Sequence, residues 1–419
     1  MSSSQLGRRG LLQASSATIV SSLVGCKEDN RPPLWFSYGG KNREELLKLV
    51  DEFNKLEPAH ALKPVFQGDY FELLAKLRTA LSAGRAPAVT HVIAEVVPYL
   101  VQANVLADLS PLLEGDLELV PQLSELGTYS GKQQPGTFGL PFNRSTPIAY
   151  FNGNQLKELG LSPPTTWSEL RTFAQAATSS TSSGTRYGFA CPVDWWFWVA
   201  LVYQAGGELC DQEGRFTLGG EAGVEALALW QALVHEDKTM RPPSGRDYTA
   251  WGNINQEFLA GRFAMIWNSS AFLRYLETNA SFPVIAAPLP AKLTTGVPSG
   301  GTMFVVPNSC PPEWREGVGR FLRFMMSPRC SNQFATNTGY IPVTRPGIQT
   351  LQEAGHYKRF PNDAVAIGQL EAVRPWPWSK KLFRVQREVM QSRLEAAVLN
   401  NEHPAQAMRA AIQAVAVET

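Results

Sequence analysis

Between Leu34 and Leu109 short apolar runs alternate with amphipathic stretches, and this alternation limits the fold more than any other feature of the chain. Leu34–Ser37 reads as a strand. The following stretch, Arg43–Leu56, carries Leu46, Leu47, Val50 and Phe53 at helical spacing and ends at Glu57-Pro58. The same pair of signals repeats with a strand at Leu62–Gln67 and a helix at Phe71–Ala83. It repeats again with a strand at Val89–Ile93 and a helix at Val97–Ala103, before a strand-like Ala107–Leu109. Strands separated by helices at this interval imply an α/β fold with a parallel sheet. In such sheets ligands sit beyond the carboxyl ends of the strands, where Tyr70 and Glu95 fall.

The pattern breaks at Pro141–Asn152, PFNRSTPIAYFN. Ile148–Phe151 is a short β-branched and aromatic run of the kind that forms a buried strand, and Pro147, having no N–H for a ladder, belongs at its start. The polar Asn143, Arg144, Ser145 and Thr146 precede it. Polar donors at the mouth of a buried strand suit a ligand site, although an ordinary loop–strand junction accounts equally for these twelve residues taken alone. Beyond Asn152 the chain is richer in helix: Asn154–Leu159, Trp167–Thr178, Asp194–Gln204 with the cluster WWFW, and Val224–His235. Strands return at Arg262–Trp267, Val284–Pro288 and Met303–Pro307, a helix follows at Trp314–Met326, and a helical tail runs to Thr419. Two domains that share several crossings are therefore expected. They are a lobe of 34–147 plus 271–335 and a helix-rich lobe of 148–270 plus 336–419, in keeping with a length of 419 residues.

Residues 1–25 read as an export signal, with Arg8 and Arg9 ahead of a mildly apolar stretch that holds five Ser or Thr. Leu23-Val24-Gly25-Cys26 resembles a lipoprotein cleavage site. Cleavage there leaves Cys26 as an acylated first residue, 26–33 as a tether and the chain anchored to a membrane surface by lipid. The four remaining cysteines would meet an oxidising compartment, and Cys191–Cys210 and Cys310–Cys330 are the pairs that could bridge. The net charge of +1 falls to −1 without Arg8 and Arg9, and no basic stripe stands out, so nucleic acid is not a partner. Eleven Trp, eleven Tyr and 21 Phe suit a cleft for sugars or polyols.

Catalytic patterns are missing from the sequence. The five histidines lack metal-ligand spacing, and there is no G-x-S-x-G elbow, no phosphate-binding glycine loop and no dinucleotide fingerprint. No carboxylate pair is singled out for glycoside hydrolysis.

Six segments in order carry a resemblance: FQGDYFELLAKLRTALSAGRAPAV (66–89), PFNRSTPIAYFN, TTWSEL (165–170), FLAGRFAMIWNSS (258–270), the SGG–VVP segment (299–307) and TGYIPVT (338–344). Together they resemble the extracellular solute-binding proteins of bacterial ABC importers for sugars and related compounds, and in particular the glycerol 3-phosphate-binding branch. The resemblance implies a two-lobed periplasmic-binding-protein fold in which crossing strands form a hinge over a central ligand cleft. It implies no cofactor, a glycerophosphate-type or sugar-type ligand, ABC permease subunits as protein partners, and a monomer. Carried over residue by residue, it places Tyr70 and Glu95 at the glycerol end, with Ser145, Ser269, Gly301, Tyr340 and Arg387 completing the site. An arginine fork suits phosphate, and hydroxyls with a glycine N–H supply neutral donors.

One departure concerns two tryptophans that the branch sets three apart beside its ligand. Here Trp195 and Trp198 keep that spacing, whereas counting back from Gly206-Gly207 selects Val193 and Trp196. The second register opens one side of the pocket to a larger glycerophosphodiester or a sugar, and Trp195 and Trp196 both stand as candidates. A sugar or oligosaccharide binder is the alternative function, and an exported carbohydrate-active enzyme the alternative outside that class.

Overall fold

Two five-stranded sheets organise the computed structural model, which describes residues 29–113, 115–131, 135–182 and 184–416. The export signal, Cys26 and the start of the tether lie outside the described residues. In the first sheet the strands run Lys63–Phe66, Pro33–Phe36, Val89–Ile93, Gly300–Val305, Leu140–Ser145. The first three pair in parallel, as their helical crossovers require. Gly300–Val305 enters between Val89–Ile93 and Leu140–Ser145 antiparallel to both, so the sheet is mixed rather than parallel throughout. Ala107–Leu109 forms no strand; Leu106 makes a single bridge to Pro307 instead.

The second sheet runs Val284–Ala287, Pro147–Asn152, Phe263–Ser269, Gly184–Ala190, Ser179–Thr181. Pro147–Asn152 is buried at every position, because its alternate residues feed two cores. Ile148 and Tyr150 pack with Ile254, Phe258 and Ile266, while Ala149 and Phe151 face the helix Trp195–Gln204. The first sheet has its own core, built from Leu46, Leu49, Val50 and Phe53 of the helix Gly40–Leu56 against Phe304 and Phe321.

The chain passes between the sheets at Thr146, the one residue between Leu140–Ser145 and Pro147–Asn152. Two of the expected segment assignments differ from the pairing observed. Val284–Ala287 belongs to the second sheet, where it pairs with Pro147–Asn152, so the return to the first sheet comes at Gly300 and not at residue 271. Tyr340, Ile341 and Val343 pack in the first core, and Ile341 N–H donates to the Arg144 carbonyl. The tail therefore joins the second half only later, where Gln391–Val398 and Pro404–Ala416 pack on the helix Glu221–Gln231. Cys191, Cys210, Cys310 and Cys330 are all free thiols, so neither expected bridge forms. No helix among the described residues is long and apolar enough to cross a membrane.

Candidate ligand site

A cavity of about 560 Å³ lies where the carboxyl ends of strands from both sheets meet. Each wall has a local cause. Gly68, in the left-handed region at φ +99°, turns the chain after Lys63–Phe66. Asp69 then caps the helix Tyr70–Ser82 by accepting from Phe71 and Glu72 N–H at 2.8 Å, while the Glu72 carboxylate accepts from Asp69 N–H. This reciprocal cap fixes Tyr70 and Phe71 at the rim. Glu95 follows Val89–Ile93 in a short helical turn and is 6% exposed. Ser145 ends one strand of the first sheet and Ser269 one of the second; both are buried. Gly301 has φ +104°, and a Cβ there would stand 1.7 Å from the Asn143 carbonyl oxygen, so only glycine allows the two strands this close.

Tyr70, Glu95, Ser145, Trp196, Ser269, Gly301, Tyr340 and Arg387 all line this cavity. Trp195 does not. It is 1% exposed and stacks on Trp376 with ring centroids 6.2 Å apart, a core position one helical step away from the opening. Trp196 faces the cavity stacked on Trp251 at 5.5 Å, and its buried indole N–H has no partner among the described residues. The Arg387 guanidinium forms a two-pronged pair with Asp247, Nη2 to Oδ2 at 3.0 Å, and lies 3.9 Å from the centre of the Phe71 ring. Since Phe71 follows the first sheet and Asp247 belongs to the second half, this contact joins the two sides of the cavity.

Charge in the cavity is predominantly acidic. Among the described residues, Asp69, Glu72, Glu95, Asp194 and Asp247 line it against Arg387 alone of Lys and Arg. Burial pushes Glu95 up to about 7, only partly offset by the Arg144 guanidinium, and pushes Asp194 up to about 6 despite its bond from Trp196 N–H. Burial pulls Arg387 down, but its bonds to Asp247 and the charges of Asp247, Asp194 and Asp69 together hold it above the usual arginine value.

The bacterial extracellular solute-binding protein model matches residues 48–361, well over half of the chain. The chain belongs to that family. It resembles the sn-glycerol-3-phosphate-binding periplasmic protein UgpB of Pectobacterium atrosepticum at 24% identity, covering 96% of this chain and 94% of that one. UgpB of Salmonella paratyphi A is 25% identical over 91% and 90% of the two chains. Among solved structures, UgpB of Mycobacterium tuberculosis in complex with glycerophosphocholine superposes with a TM-score of 0.80 at 22% identity, covering 92% of this chain and 98% of that one. The GacH receptor of Streptomyces glaucescens, solved unliganded and with acarbose, gives 0.79 at 21% identity, covering 92% and 97%. The fold is thus the two-lobed one of periplasmic binding proteins, with the cavity between the lobes. As a member of an extracellular family, the chain is an exported protein that takes a small molecule and serves an ABC importer.

For this solute-binding protein, reading the sequence missed Tyr38, Phe71, Asp194, Asp247, Tyr248 and Trp251 in the cavity wall. Asp194 carries a usable signal, an acid capping the aromatic helix Trp195–Gln204. Asp247, Tyr248 and Trp251 sit on the helix Asp247–Leu259, which has no side-chain N-cap to announce it.

Proposed function

We propose that the cavity captures a glycerophosphodiester of the glycerophosphocholine type and delivers it to the permease by lobe closure. The observation that carries the reading is the charge balance of the cavity: a single guanidinium, shared with Asp247, among five carboxylates. A phosphomonoester brings nearly two negative charges into this acidic space, whereas a diester brings one, which one arginine fork can match. The stacked Trp196 and Trp251 beside Asp194 suit a cationic alcohol on the other side of the phosphate, through ring faces and a carboxylate. Glu95 and the buried serines suit the glycerol hydroxyls. Capture and release without chemical change, a monomeric state and anchoring through acylated Cys26 belong to the same reading. The relatives named for glycerol 3-phosphate and the neighbour solved with glycerophosphocholine support it.

Calorimetric titration of the purified protein tests the reading. Glycerophosphocholine is expected to bind about tenfold or more tightly than glycerol 3-phosphate, a difference of ~1.4 kcal/mol. Binding of neutral sugars alone overturns the phosphate assignment, and turnover of any ligand overturns capture without chemistry.

Ser145→Ala is a second, smaller test. Its hydroxyl is expected to contribute about 1 kcal/mol to the ligand, so affinity drops about fivefold while the urea midpoint is unchanged. A lower midpoint with unchanged affinity returns Ser145 to the scaffold.

A further inference from the structure

The polar groups behind the Tyr70–Tyr340 wall have their donor directions fixed by two backbone amides. Ser37 N–H points at His91 Nε2 at 2.9 Å, so that nitrogen is an acceptor and the proton of this buried imidazole sits on Nδ1. His91 Nδ1 then donates to Thr302 Oγ1 at 2.8 Å, which leaves the threonine proton for Asn143 Oδ1. The second amide, Thr302 N–H, also donates to Asn143 Oδ1, at 3.0 Å, and this settles which end of the Asn143 amide is oxygen. Both protons of Asn143 Nδ2 are consequently turned toward the cavity wall, one to the Tyr70 hydroxyl at 2.7 Å and one to the Tyr340 hydroxyl at 3.0 Å. Each tyrosine oxygen already accepts from Asn143, whose Nδ2 takes neither tyrosine proton in return, so those protons are left for the cavity that both residues line.

We propose that Asn143 is a specificity-determining residue: its amide, locked from behind by His91 and Thr302, forces the Tyr70–Tyr340 pair to donate a hydrogen bond to the solute. This wall therefore selects a hydrogen-bond acceptor, such as a phosphate or ether oxygen, and disfavours a ligand hydroxyl that needs an acceptor. Asn143 acts through the tyrosines and is a positioning residue. Its neighbour Ser145 lies at the cavity in the same strand. The inference rests on the proposed solute site but not on the identity of the solute.

Two measurements test it. Nitrogen-15 NMR of imidazole-labelled, ligand-free protein reads the His91 tautomer. The His91 signals are assigned through its backbone resonances, and the ring is expected to stay neutral down to pH 5, since burial takes it down to about 3. The Nδ1–H form is expected, and the Nε2–H form overturns the relay whatever the solute proves to be. The second measurement is a double-mutant cycle by calorimetry with glycerophosphocholine. Tyr340→Phe is expected to weaken binding about tenfold. In Asn143→Asp the carboxylate can only accept, so both tyrosine protons turn back toward it, and adding Tyr340→Phe should then cost less than about twofold. An undiminished tenfold loss in the Asn143→Asp background overturns the proposal. If wild-type protein does not bind glycerophosphocholine, the assignment of the solute fails, while the tautomer measurement still decides the relay.

Discussion

Arg387→Ala is expected to weaken binding of a glycerophosphodiester about 100-fold or more, close to 3 kcal/mol. Two losses combine in that figure. The first is the charge-assisted fork to the phosphate, worth about 1.5–3 kcal/mol by itself. The second is the exposure of Asp247, whose carboxylate pairs with Arg387 and would then face the phosphate unmatched. A second variant separates them. In Arg387→Ala/Asp247→Asn the repulsion is gone, so recovery to within about tenfold of wild type assigns most of the effect to Asp247, and a lasting deficit assigns it to the phosphate contact. Phe71 supplies an internal control, because the guanidinium also lies over its ring. Because that contact joins the two sides of the cavity, its loss should appear mainly as faster ligand release. Unchanged affinity in Arg387→Ala would remove Arg387 from the site and leave it a strut between the lobes.

The role of Arg387 also shows where sequence reasoning reaches its limit. Local signals sufficed for the elements that carry them. Val89–Ile93 is rich in β-branched residues and Ile148–Phe151 is a continuous apolar run, and both form strands. Gly68-Asp69-Tyr70 combines a turn glycine with a capping acid, and it places Tyr70 at the cavity. Thr146 marks the passage between the sheets, beside the lobe boundary expected after residue 147. Trp195 and Trp196 were not separable, because every residue of Trp195–Gln204 is buried and a helix without a polar face offers no periodicity to set its rotation. The antiparallel entry of Gly300–Val305 depends on pairing with strands about 160 and 210 residues earlier, which no local window contains. The Arg387–Asp247 pair spans 140 residues and has the same cause. Without it, the arginine reads as a free phosphate clamp. With it, the cavity's one cation among Lys and Arg is already half committed, and that turns the expected ligand from a monoester toward a diester.

Glu95 is expected to make the protein lose stability as pH rises from about 5 to 7. Its folded value is about 7 against an ordinary value near 4.5, because burial disfavours the carboxylate more than Arg144 favours it. Between those two values Glu95 holds a proton in the folded chain that it has lost in the unfolded one, so its contribution to the unfolding free energy falls by about 1.4 kcal/mol per pH unit and then levels off above pH 7. The fall through Glu95 totals roughly 3 kcal/mol. Asp194 adds a similar trend in a lower window, up to about 6, while His91, which burial takes down to about 3, adds the opposite trend up to its ordinary value near 6.5, so Glu95 is read as the difference between wild type and Glu95→Gln. Urea unfolding at pH 5, 6, 7 and 8 measures this, and between pH 5 and 7 wild type should lose stability relative to Glu95→Gln by about 1.4 kcal/mol per pH unit. Absolute stability is the wrong readout, because the glutamine also leaves the buried Arg144 guanidinium without its carboxylate neighbour. Binding gives the complementary sign. Ligand hydroxyls that donate to Glu95 stabilise its ionised form, so capture near pH 6 should release a proton and tighten as pH rises toward 8. Calorimetry in buffers of differing ionisation enthalpy counts that proton. A pH dependence in Glu95→Gln that matches wild type, or proton uptake on binding, would show that Glu95 neither sets the pH response nor accepts from the solute.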